Sequence, residues 1–169
     1  MKKGISLIVL LLVPLVLFAA SFESLLPLLV NLPGWKANEA EGADLSSVGS
    51  KGITAVRNYS RGDSTLDVVI MVGMQVQGVW NAGYKEGLKT EDAETSIQVQ
   101  KIDGFLVTTG VDKKRSDSGG VFVLLREVAG KPDSGAVFAL NFEGLKLDEA
   151  LKLARNFDWK KIKAAVEKL

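Results

Sequence analysis

Cysteine and histidine are both absent from the 169 residues. That excludes zinc sites of the Cys/His kind, thiol nucleophiles, Ser-His-Asp triads, haem held by histidine and disulfide staples. It also excludes a lipid-modified cysteine at a processed N-terminus. An excess of either charge is missing too: Lys+Arg number 21 and Asp+Glu 20, a net +1 that becomes −1 if Lys2 and Lys3 are removed. Such a chain has no global field to draw it to nucleic acid, so no nucleic-acid partner is expected. With 47% hydrophobic and 24% charged residues it has the balance of a globular protein and not of a disordered one. Without disulfides, its fold must be held by its own core. No metal or other cofactor is expected.

What is present first is an export signal. Met1-Lys2-Lys3 is a short positive segment, and Gly4 to Phe18 is apolar apart from Ser6 and Pro14. Ala19-Ala20-Ser21 then supplies small residues ahead of Phe22. This order predicts a signal peptide over residues 1–21 and a single globular domain over 22–169, periplasmic or secreted. Left uncut, the stretch would be an N-terminal membrane anchor, though a short one, since spanning takes about 20 apolar residues. The two lysines would then stay inside and the domain would still face outward.

Past the leader, Leu25-Leu26-Pro27-Leu28-Leu29-Val30 predicts a helix with proline in its first turn, packed on the core. Leu32-Pro33-Gly34-Trp35 is a turn that delivers a core tryptophan. Lys36 to Lys51 is polar and punctuated by Gly and Ser, a weak strand or loop. Ile53 to Ser60 and Thr65 to Gly73 read as strands around an Arg61-Gly62-Asp63-Ser64 turn, with Leu66, Val68, Ile70 and Val72 on one face. Val76, Val79, Trp80 and Tyr84 then fall at helical spacing and predict a short helix over Gln75 to Gly83. A polar connection, Lys85 to Glu94, leads to alternation over Thr95 to Ile102, with Ile97 and Val99 inward. Asp103-Gly104 is a hairpin signal before a strand over Phe105 to Val111. After a loop from Lys113, strands over Gly120 to Val128 and Gly135 to Phe142 flank a turn at Pro132–Gly135. Leu147, Leu151, Ala154, Ile162, Val166 and Leu169 share one stripe of a helical end, with Asp158 as cap of the last helix.

Short turns between neighbouring strands make the sheet mainly antiparallel. Val121, Val123 and Leu125 point one way while Phe122, Leu124 and Val128 point the other, and a strand with no polar face needs cover on both sides. The expected class is therefore α+β: a mainly antiparallel sheet covered by helices on both faces, an α/β/α sandwich. The order of strands, mid-chain helix and C-terminal helix resembles the sandwich fold of PsbP-like proteins. Leu25-Leu26-Pro27 and Leu32-Pro33-Gly34-Trp35, followed by an alternating strand ending near Tyr59, are similar to a set of uncharacterised exported bacterial proteins. The PsbP-like resemblance implies an accessory, non-enzymatic role in a larger assembly; neither resemblance supplies a catalytic residue.

Met74 to Tyr84 contains no charged residue. One side of the expected helix, with Trp80 and Tyr84, suits the core or the wall of a ligand cavity. The other, with Gln75, Gln77 and Asn81, is neutral and small, and suits cover by the chain's own loop or by a partner, because interface centres are depleted of charge. Glu91, Asp92 and Glu94 cluster without any calcium-loop spacing and read as a solvated loop. Lys113-Lys114-Arg115 ahead of Gly119-Gly120 could meet an anion, but lacks the helix that follows a phosphate loop. Arg61-Gly62-Asp63 and Asn58-Tyr59-Ser60 spell known tripeptides but are explained by turn and strand chemistry.

No catalytic residue is assigned. The leading expectation is a non-enzymatic exported accessory domain that contacts another envelope or secreted component. Its alternatives are a binder of a small apolar or amphiphilic ligand between sheet and helix, and a carboxylate-dependent hydrolase. Membrane contact is expected only through an uncleaved leader.

Overall fold

Alternating apolar residues make strands because successive side chains leave opposite faces of the backbone. In the computed structural model, which describes residues 21–49, 51–127 and 134–169, nine strands form one sheet, the longer ones of this kind. They are β1 Lys36–Ala37, β2 Glu41–Asp44, β3 Gly52–Arg61, β4 Ser64–Gly73 and β5 Lys89–Glu91, then β6 Thr95–Ile102, β7 Phe105–Asp112, β8 Ser118–Arg126 and β9 Ala136–Glu143. The order across the sheet is β1-β3-β4-β9-β8-β7-β6-β5, with β2 also on β3, and every pairing is antiparallel. The expected leader lies outside the described residues except for Ser21, as do Val128 and half of the Pro132–Gly135 turn.

Two hairpins follow from their turn residues. Gly62 takes φ +58° between β3 and β4, and Asp103 and Gly104 take +51° and +89° between β6 and β7. The second pair is the left-handed couple of a type I′ turn. β9 inserts between β4 and β8, and Ala136 to Leu140 are buried in succession because both of its faces are covered there.

The first face carries the main core. Val68 and Ile70 stand beside Leu140 and Phe138, which stand beside Val121 and Val123. Two α-helices pack there, α1 Leu147–Ala154 and α2 Trp159–Val166, burying Ala150, Ala154, Trp159, Ile162 and Val166. The Asp158 carboxylate caps α2 by accepting from the Lys161 N–H at 3.0 Å. Phe157, between the helices, is buried with its ring 5.2 Å from Phe138 and 6.1 Å, edge-on, from Tyr59.

The N-terminal segment completes this face as two 3₁₀ turns, Phe22–Ser24 and Leu26–Leu28, rather than the expected helix. Pro27 sits in the second turn, and Leu25, Leu29, Leu32 and Trp35 reach the core as expected. β3 holds the segment. Arg57 donates to the Leu29 and Asn38 carbonyls and to Asn31 Oδ1, and the Tyr59 hydroxyl donates to the Val30 carbonyl at 2.8 Å.

Burial pushes the Tyr59 phenol up to about 12, against a smaller downward pull from Arg57. Unfolded tyrosines ionise near pH ~10, so the folded state holds this proton more tightly. The resulting stabilisation is complete below about pH 10 and is lost as pH rises through the folded value. Denaturation midpoints are therefore expected to fall across that interval, and to fall less in Tyr59→Phe. Parallel pH profiles for the two proteins would remove Tyr59 as the cause.

The antiparallel α+β class holds, but both α-helices stand on the same face. On the second face the expected helix over Gln75 to Gly83 is a single 3₁₀ turn, Met74–Gly78, followed by irregular chain. Gly78, Gly83 and Asn81 explain this. Glycine disfavours a helix interior, and the Asn81 side chain accepts the Gly83 N–H at 2.7 Å, bending the backbone into a local turn. The polar connection also contains β5, whose three exposed residues lack the apolar alternation that marks a strand.

Candidate functional site

Gly73 decides where the site lies. At φ +104° and ψ −151° it occupies backbone space that is essentially glycine-only, and a Cβ there would collide with the Lys51 carbonyl oxygen. Through this bend β4 ends and residues 74–84 fold back over the second face. Val76 and Trp80, four residues apart, both point down and bury Val137 of β9. Beside this cluster Met71, Leu106, Phe122 and Leu124 remain only half-buried.

Residues 74–84 and the exposed parts of β7 and β8 enclose an open groove of about 740 Å³. Val79, Trp80, Tyr84, Leu106 and Leu124 supply apolar wall, and Gln77, Asn81 and Glu127 supply polar wall. The Trp80 and Tyr84 rings meet edge-on, 5.7 Å between centroids, so each fixes the other.

Four of the five residues singled out in the sequence meet here. Gln77 and Asn81 are exposed, Trp80 is buried and Tyr84 is half-buried, all lining the groove. Gln75 does not join them. It turns inward, its Nε2 donating to the Ile53 carbonyl at 2.9 Å, while its Oε1 is buried without a hydrogen-bond partner among the described residues. The Nε2 bond to Ile53 makes this amide a tie between the segment and β3 rather than part of an outward face. Leu106, Leu124 and Glu127 were not singled out for the site. The one signal was the two-sided apolar pattern of β8, which announces a second covered face without naming what lies on it.

The acidic and basic loop clusters singled out in the sequence are spent on the fold. Asp92 accepts from the Glu94 and Thr95 N–H groups at 2.8 and 2.7 Å and from Thr95 Oγ1 at 3.1 Å. Glu91 and Glu94 pair with Lys113 and Lys114 at 2.8 and 2.9 Å, so the acidic and basic loops neutralise each other across β6 and β7. Arg115 lies 3.4 Å from Glu143. Among the described residues no cluster has the side chains to hold a metal ion. Arg61 stacks 4.5 Å over the Trp35 ring and pairs with Glu149, which ties the hairpin to α1.

Hydrolysis by a carboxylate pair requires one acid pushed up in pKa. Where a carboxylate departs clearly from its ordinary value here, hydrogen-bond donors pull it down: the Ser21 side chain on Glu23, and backbone N–H groups on Asp44, Asp92, Asp112 and Asp158. This is the chemistry of caps and turns.

Comparison with known proteins finds no matching family, no matching curated protein and no matching solved structure.

Proposed function

We propose that this chain is a non-enzymatic, exported accessory domain that receives an apolar group of another envelope or secreted protein in the groove beside residues 74–84. One observation carries the reading: the sheet is apolar on both faces, yet both α-helices stand on one of them. The second face keeps Met71, Leu106, Phe122 and Leu124 half-exposed beside eleven residues without a charge. A sheet of this kind needs a second layer, and a neutral, small-residue border suits close approach by one. In this reading a partner completes the layer that helices were expected to provide, as an accessory protein of the PsbP-like kind would allow. Export rests on the leader expected over residues 1–21.

A photo-crosslinking residue at position 77, introduced in the native host, tests this directly. It should yield one adduct of defined mass, which the same residue at Lys168 on the far side does not. Gln77→Arg should abolish the partner contact while moving the unfolding free energy by less than about 0.5 kcal/mol, as exposed sites do. Identical adduct patterns from both crosslinking positions would overturn the proposal.

A second reading, a small apolar or amphiphilic ligand, is favoured by the Trp80–Tyr84 wall. Its two rings meet edge-on, line the same groove as Leu106 and Leu124, and bound a space within the range of ligand sites, roughly 300–1,000 Å³.

A further inference from the structure

The groove beside Trp80 does not end at Tyr84. A second cleft of about 1000 Å³ begins there and wraps the end of β7 and β8 toward α2. The two share Tyr84, Leu106, Leu124 and Glu127 as walls, so they adjoin. Their chemistry differs along the length. The first is lined by uncharged residues apart from Glu127. The second cleft wraps the sheet end, with Leu106 and Leu124 on the second face and Phe105 and Leu125 turned to the first, beneath a largely cationic rim.

Four of the five cations along this rim are not spent on carboxylates. Among the described residues Lys85, Lys101 and Lys160 form no ion pair, whereas Lys163 is taken by Glu167 and Asp103 by Arg155. Arg126 is half-buried, and its guanidinium is held by two neutral acceptors, the Ser134 carbonyl at 2.5 Å and the Val166 carbonyl at 2.7 Å. Its position is therefore fixed while its charge meets no carboxylate there. Glu86 and Glu127 oppose these four cations from the same walls, and the third carboxylate there, Asp103, is paired with Arg155. Lys101 stands directly opposite Leu106 in the β6–β7 register, on the same face, which sets a cation beside the apolar residue common to both clefts.

We infer that the two clefts form one site for an anionic amphiphile. Its apolar chain lies along Leu106 and Leu124 toward Trp80, and its carboxylate or phosphate head sits among Lys101, Lys160 and Arg126. This rests on the ligand reading of the groove and adds the head-group chemistry. Arg126 anchors the head as a fixed, partly desolvated charge, and the lysines supply mobile donors.

Titration calorimetry of the purified protein with single-chain C12 compounds, below their micelle concentrations, tests it. Dodecanoate and dodecyl phosphate should bind at least about tenfold more tightly than dodecanol or dodecylamine, and the preference should shrink as salt rises. Of the two anions, the tighter binder identifies the head. Lys101→Gln with Lys160→Gln should weaken both anions about five- to tenfold, leave dodecanol unchanged and keep the melting temperature of the parent. Inorganic phosphate alone should not bind measurably; equal affinity for it would overturn the amphiphile. Equal binding of all four C12 compounds would overturn the head-group assignment and leave an apolar ligand site. No binding of any of them would overturn the ligand reading itself, leaving the protein-partner reading to its crosslinking test.

Discussion

Truncating Phe157 to alanine is expected to lower the unfolding free energy by about 4 kcal/mol, the largest loss from a single change in this fold. The ring is buried where three parts of the protein meet: α1 and α2 at their junction, β9 through Phe138, and β3 through Tyr59. These elements are fixed by the sheet and cannot close on the void, so the cavity cost adds to the lost transfer energy. Thermal denaturation should show a fall of roughly 12 °C for a domain of this size. Phe122→Ala is the useful comparison, because Phe122 is half-buried on the second face. It should cost about 1–2 kcal/mol in the isolated protein. Equal losses for the two variants would mean that the second face is already covered, which would remove the basis for a partner or ligand there.

Arg57→Leu is expected to cost about 3 kcal/mol and to do so locally. The guanidinium bonds the Leu29 carbonyl, the Asn38 carbonyl and Asn31 Oδ1 at 2.6, 2.8 and 2.7 Å. It lies 5.5 Å from the Tyr59 ring centroid, so stem and head both serve the same clamp. Leucine keeps the apolar stem and leaves the partly buried Leu29 carbonyl without its donor, which is the expensive outcome. Hydrogen exchange should accelerate in residues 25–35 far more than in β8 or β9, since the clamp joins β3 to the N-terminal segment alone. Arg57→Lys should recover less than half of the loss, because a single ammonium cannot span three acceptors as a planar fork does. Uniform acceleration across the sheet would contradict a local clamp.

Much of this molecule was legible from local pattern. Leu66, Val68, Ile70 and Val72 point to one face as their alternation requires, and Asp103-Gly104 makes the tight turn that its residue types favour. Asp158 caps α2 because a short carboxylate ahead of a helix reaches its free N–H groups. Misreadings fell where a periodicity was real but its cause was not local. Val76 and Trp80 do share a side, yet the second face of the sheet gathers them, not a helix, and glycines on either side let the chain bend irregularly over it. Gln75, which helical geometry would turn outward, turns inward in the 3₁₀ turn that replaces the helix. Glu91 and Glu94 read as a solvated loop because Lys113 and Lys114, their partners, are about 20 residues away along the chain.

By itself the sequence determined the six long strands β3, β4, β6, β7, β8 and β9, the β3–β4 and β6–β7 turns, the antiparallel class, and the exclusion of cysteine and histidine chemistry. Each of these depends on residues close in the chain or on composition. It also identified the uncharged stretch that forms one wall of the site. Tertiary structure alone decided that β9 enters between β4 and β8, that both described α-helices stand on one face, and that Leu106 and Leu124 join Trp80 and Tyr84 around one groove. The physical reason is that an apolar strand face specifies burial without specifying what buries it. Which element arrives there depends on competition among all the apolar surfaces of the chain, and that competition leaves no mark at any one position.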